Sequence, residues 1–126
     1  MQVKTIFIVN GDLGFVFWLG RLLNEAGYQV WPARNGDDAA ALMQELGAEL
    51  DLLVIDPGLP GASRFIELQR ARGDFRMIFV GRPEDFYRMP GSHTAPAKSS
   101  RPDGLSELEW ITVVQNLMSP WQPSDN

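Results

Sequence analysis

The chain has 126 residues, no cysteine and one histidine, His93, and its sixteen Asp and Glu outweigh eleven Lys and Arg to give a formal charge of −5. That length fits one domain, and the missing cysteines exclude disulfides, thiolate metal sites and a cysteine nucleophile. The acidic balance argues against direct binding to DNA or RNA, whose phosphates select basic surfaces.

The first element is Thr5–Val9, β-branched and apolar without alternation, the pattern of a strand buried on both faces. Asn10–Gly11 breaks it. Asp12 stands where an N-cap belongs, and Phe15, Trp18, Leu19, Leu22 and Ala26 form one apolar stripe of a helix that Gly27 stops. The unit then repeats. Tyr28–Pro32 is a short strand, and Asn35–Gly36 turns into a helix led by Asp37 or Asp38 and ended by Gly47. Leu52–Ile55 is a second wholly apolar strand, closed by Asp56 and the loop Pro57–Gly61. A helix over Ser63–Arg72, with Phe65, Ile66 and Leu68, stops at Gly73, and Met77–Val80 is a strand that ends at Gly81.

The stretch after Gly81 is the least regular. Pro83–Met89 has room for at most two helical turns, Ala95–Ser99 is a poor last strand, and Leu105–Met118 is the last helix. Ser119–Asn126 reads as a polar tail or the start of a linker, which leaves 1–118 as the domain. The apolar run Ile6–Val9 is too short for a signal-peptide core. The longest apolar stretch, Leu13–Gly20, stops at Arg21, far below the ~18 residues of a membrane span. A cytoplasmic location and no membrane contact are therefore expected.

Apolar strands alternating with helices predict an α/β fold, a doubly wound parallel sheet with helices on both faces. Ligands of such sheets sit at the carboxyl ends of the strands, so the loops beginning at Asn10, Asp56, Gly81 and near Ser100 are the places to look.

The loop Asp56–Pro57–Gly58–Leu59–Pro60–Gly61 resembles the phosphoacceptor loop of response-regulator receiver domains, Asp-x-x-Leu/Met-Pro-Gly or Asp. The segments TIFIVNGDLGF, LLNEAGYQV and ARNGDDA are receiver-like in spacing and content, and the resemblance spans residues 3 to 118. It implies a CheY-like, flavodoxin-like sheet of five strands in the order 2-1-3-4-5, here with a shortened fourth helix. It also implies Asp56 as the phosphoacceptor position, Mg²⁺ held by acidic residues after the first strand, a Ser or Thr ending the fourth strand and a Lys ending the fifth.

This chain departs from that set. The acidic positions fall on Asn10 and Gly11, and the acid that follows, Asp12, is expected to cap the first helix. The hydroxyl position falls on Gly81, the switch aromatic on Ser99 and the lysine on Arg101, with Lys98 three residues too early. Carboxylates are what Mg²⁺ wants, so Asp12 and Asp56 would make at most a weak site and no cofactor is expected. Without a Gly-x-Gly-x-x-Gly or Walker motif, nucleotide or flavin binding is not expected either.

The resulting expectation is a degenerate receiver, a pseudo-receiver that acts as a protein-interaction module in two-component signalling rather than as an enzyme. The alternative is a receiver phosphorylated at Asp56 by a histidine kinase. The expected partner is a signalling protein such as a sensor histidine kinase or an output protein. Two surfaces are candidates: Val16 and Phe17, off the stripe of the first helix, and Trp110, Val113 and Leu117 on the last helix. The latter would serve a homodimer, with Leu105, Leu108, Ile111 or Thr112, and Val114 or Gln115 facing the core.

Overall fold

The computed structural model describes residues 3–81 and 106–118. Its elements follow in order as β1 (Thr5–Val9), α1 (Leu13–Glu25), β2 (Gln29–Ala33), α2 (Gly36–Leu46), β3 (Leu52–Ile55), α3 (Ala62–Arg72), β4 (Arg76–Phe79) and α4 (Glu107–Met118). Every described strand pair is parallel, and the sheet runs β2-β1-β3-β4. This is the start of the expected order. The expected fifth strand at 95–99, the shortened fourth helix at 83–89 and the tail at 119–126 lie outside the described residues.

The uniform apolarity of β1 and β3 has a direct cause: each of their side chains is buried, whichever face it points to. Phe7, Val9, Leu53, Ile55, Met77 and Phe79 pack under α2 and α3, where Phe7 stacks on Phe65 at 6.2 Å. Ile6, Ile8, Leu52, Val54, Ile78 and Val80 pack under α1 and α4 on the other face. Full burial of one such side chain stabilises by roughly 1.5–3 kcal/mol. β2 lies at an edge of the described sheet, which is why it tolerates Pro32 and leaves Gln29 exposed.

Helix ends are set locally. The Asp12 carboxylate accepts the Phe15 N–H at 3.2 Å, the expected cap of α1. For α2 the cap is Asn35, which accepts the Asp38 N–H at 2.8 Å; neither Asp37 nor Asp38 leads the helix. α2 closes at Gly47, left-handed at φ 62°.

Two helix faces differ from expectation. On α1 the buried residues are Phe15, Val16, Leu19 and Leu23, while Trp18 and Leu22 are half-buried and Ala26 is exposed. Val16, expected on the surface, is 2% exposed, whereas its neighbour Phe17 is 64% exposed as expected. The helix is rotated from the assumed stripe toward Val16 because it packs on the sheet and against α4 together, with Phe15 5.9 Å from Trp110.

On α4 Val114 is buried as expected, but Trp110 takes the core position in place of Leu108, and Leu105 lies outside the described residues. Trp110 and Val114 are buried, Val113, Leu117 and Met118 pack around them, and Leu108 is 74% exposed beside exposed Thr112 and Gln115. Trp110, Val114 and Leu117 also fall at helical spacing, and a buried indole removes more apolar surface from water than Leu108 would. The apolar patch expected on the outside of this helix is therefore part of the core, and a dimer through it loses its basis.

Candidate functional site

The parallel register brings the carboxyl ends of β1, β3 and β4 together. Val9 pairs with Ile55 and Ile55 with Phe79, so the next residues along, Asn10, Asp56 and Val80–Gly81, line one end of the sheet. The Asp56 N–H donates to Val9 O at 3.0 Å and the Val80 N–H to Ile55 O at 3.0 Å, which fixes these ends against one another.

Asp56 is half-buried at this end. Its Oδ1 accepts the Gly58 N–H at 2.9 Å, and its carbonyl accepts the Leu59 N–H at 3.2 Å, so the loop folds back over its own start. Gly81 lies directly against it. A Cβ at Gly81 would stand 2.6 Å from Asp56 Oδ1 and 2.9 Å from Cγ, closer than real contacts allow. The position expected to carry a hydroxyl thus has no room for any side chain while the Asp56 carboxylate holds this orientation.

Asn10 is buried, and its Oδ1 accepts the Asp12 N–H at 2.8 Å. Asp12 itself is exposed and directed to the Phe15 N–H. Gly11 is exposed, and a Cβ there would meet only Leu59 Cδ2, at 3.7 Å. Among the described residues the oxygen donors that line the sheet end are therefore the Asp56 carboxylate and the Asn10 amide, both already engaged. Among the described residues no three Asp, Glu or His side chains converge as a cation would need. This set does not fit a Mg²⁺ site, which calls for several oxygens with carboxylate charge. Ser99 and Arg101 lie outside the described residues.

Sequence reasoning missed a long-range contact behind the loop. The Gly36 N–H donates to Pro60 O at 2.9 Å, and a Cβ on Gly36 would collide with the Gly61 carbonyl. Gly61 is left-handed at φ 74°, and a Cβ there would stand 2.6 Å from Asp37 Oδ1. The loop that follows Asp56 is thereby pinned to the first turn of α2. The Asn-Gly and Pro-Gly pairs are visible in the sequence, but nothing local says that they touch.

Beside this loop system lies an apolar surface. Phe17 separates two grooves, one of about 310 Å³ bordered by Leu13, Pro32, Arg34 and Leu42, the other of about 190 Å³ bordered by Gly20, Arg21 and Val30. Leu13, one turn before Phe17, is 47% exposed. Val16 forms part of the floor of both grooves instead of projecting from the surface.

No family model matches the chain. It is 38% identical over 123 residues to the sensor kinase CckA of Brucella abortus, a match that takes in 90% of this chain and spans 12% of that relative's length. Solved structures with the same architecture include the receiver domain of the hybrid histidine kinase CckA, at TM-score 0.69 and 20% identity over 92% of this chain and 100% of that one. The non-phosphorylated HemR receiver domain of Leptospira biflexa aligns at TM-score 0.68 and 21% identity, over 95% and 98% of the two chains. The chemotaxis response regulator CheY4 of Vibrio cholerae aligns at 0.68 and 16%, over 92% and 99%. With its parallel β2-β1-β3-β4 order and helices on both faces, the chain has the flavodoxin-like fold of CheY-like receiver domains.

Proposed function

We propose that this chain is a receiver domain of two-component signalling whose phosphoacceptor pocket is degenerate, and that it works by presenting a protein-binding surface rather than by Mg²⁺-dependent aspartyl phosphorylation. The observation that carries this reading is the fate of the carboxylates. Asp12 caps α1, position 10 is an amide bonded to the Asp12 N–H, and among the described residues no group of three acidic or histidine side chains gathers around Asp56. Gly81 adds to it, since the space for a hydroxyl is taken by Asp56.

The surface is the Phe17 ridge with Leu13 and the grooves on either side. An exposed aromatic between two apolar grooves offers a partner helix a place to bury a side chain of its own. The likeness to a stretch of a sensor kinase supports a partner within such a system, a histidine kinase or an output protein.

One observation favours a second reading, phosphorylation at Asp56: its carboxylate is half-exposed at the sheet end with the Gly58 N–H directed at one oxygen. The test separates the two. The protein is incubated with a small-molecule phosphodonor and Mg²⁺ and weighed intact. No phosphoryl increment is expected; an increment that Asp56→Ala abolishes establishes the second reading.

A further inference from the structure

Two Asn-Gly pairs occur in the chain, Asn10–Gly11 and Asn35–Gly36, and the structure makes them chemically unequal. In both, the side-chain oxygen accepts a backbone N–H at 2.8 Å, from Asp12 and from Asp38. Such a bond draws electrons from the carboxamide carbon and makes it a better electrophile. The pairs differ in the nucleophile and, in the opposite sense, in the exposure of the carboxamide, since Asn10 is buried and Asn35 half-buried. The Gly36 N–H is committed to Pro60 O, and the glycine is wedged against Gly61. The Gly11 N–H has no acceptor among the described residues, Gly11 is exposed, and the Asn10 NH₂ has no partner there either.

We propose that Asn10–Gly11 is a site of spontaneous modification that turns the Asn10 carboxamide into a carboxylate beside Asp56. The Gly11 nitrogen loses its proton to solvent base and attacks Asn10 Cγ. A new N–Cγ bond forms, the bond from Cγ to the amide nitrogen breaks, and ammonia leaves after taking a proton from solvent. The product is a five-membered succinimide. Water then opens it: cleavage of the new N–Cγ bond leaves aspartate at position 10, and cleavage at the main-chain carbonyl leaves isoaspartate. No oxidant or reductant takes part.

The two products act differently on the site. Asn10 and Asp56 follow the paired residues Val9 and Ile55 on adjacent strands, whose spacing is about 4.8 Å. Aspartate at position 10 therefore puts a second carboxylate next to Asp56. Isoaspartate instead adds a methylene to the main chain between β1 and α1, and displaces Asp12 from the Phe15 N–H that it caps.

This inference rests on the placement of Asn10 and stands apart from whether Asp56 accepts a phosphoryl group. The test is incubation of the full chain at mildly alkaline pH, folded and in denaturant, with proteolytic peptides weighed over time. In denaturant the two pairs should convert at similar rates. In the folded protein Asn35 should be slowed far more than Asn10, so that the ratio of Asn10 to Asn35 conversion rises several-fold. Gly11→Ala, whose Cβ makes only an ordinary contact with Leu59, should keep the fold and slow conversion at Asn10 about tenfold by hindering the attacking nitrogen. Asn10 protected by folding as strongly as Asn35, or conversion unchanged in Gly11→Ala, overturns the proposal.

Discussion

Gly81 and the Asp56 carboxylate share one space: a Cβ on the first would lie 2.6 Å from Oδ1 of the second. The glycine is thus the counterpart of an orientation, since Asp56 leans over the end of β4 while holding the Gly58 N–H.

The consequence is a coupled pair of substitutions. Gly81→Ala should force the carboxylate to rotate and forfeit the Gly58 bond, a loss of about 1–2 kcal/mol in chemical denaturation. Asp56→Ala removes the obstructing atoms together with the acceptor of that bond, so Gly81→Ala should cost little further in the Asp56→Ala background. Strictly additive losses would show that the two residues do not meet, because independent sites add.

Trp110 is the largest fully buried side chain among the described residues, set against Phe15 of α1 and grouped with Ile8 and Val54 of the sheet. Trp110→Ala should cost roughly 3–5 kcal/mol, the range for removing a buried aromatic. Trp110→Phe should cost much less, since it keeps most of the ring packing, and the indole Nε1 that it discards is buried without a hydrogen-bond partner among the described residues. If Trp110→Ala leaves stability unchanged but alters the sedimentation profile, the indole is an interface group and the packing described for α4 is wrong.

These two cases show what was legible in the sequence and what was not. The strands were readable because burial on both faces leaves an unmistakable run such as Ile6–Val9 or Leu52–Ile55. Asp12 was readable because a cap acts within three residues of itself. The rotation of α4 was not, because its sequence carries two apolar stripes at helical spacing, and only the neighbouring Phe15 and the sheet decide between them. Val16 was lost for the same reason. In the site, the positions lacking acids were readable only through the resemblance to receiver domains, and the contact between Gly81 and Asp56 and that between Gly36 and Gly61 depend on chain ends brought together by the sheet.

The start of α4 carries a pH signature. The Glu109 Oε1 accepts the Ser106 N–H at 2.9 Å, while the Ser106 Oγ accepts the Glu109 N–H at 3.2 Å, a reciprocal cap. These bonds favour the ionised acid and hold the Glu109 carboxyl below its ordinary value. A lowered pKa means that the stabilisation is fully present above the unfolded-state value and disappears as pH falls through the folded-state value. In an NMR titration Glu109 should therefore protonate at lower pH than an unpaired glutamate, and Ser106→Ala, which removes the hydroxyl but keeps the backbone N–H that is the larger cause, should move it only part of the way back up. A titration point unaffected by Ser106→Ala contradicts the reciprocal cap.

Adjacent residues of α1 separate the proposed docking surface from the core. Val16 is 2% exposed and touches the sheet-side cluster that includes Leu19 and Ile8, whereas Phe17 is 64% exposed between two grooves. A charge at position 16 would be buried without a partner, a cost of several kcal/mol, so Val16→Asp should unfold the domain. A charge at position 17 meets water. Phe17→Asp should stay within about 0.5 kcal/mol of the parent in denaturation, as surface substitutions do. If the proposed partner buries the ring, Phe17→Asp should also abolish the complex, because a centrally buried aromatic anchor is worth roughly 2 kcal/mol or more to an interface. The pair is read by denaturation and by isothermal titration against the kinase or output protein. A Phe17→Asp domain that folds and still binds at parental affinity removes this ridge from the interface, and one that unfolds places Phe17 in the core.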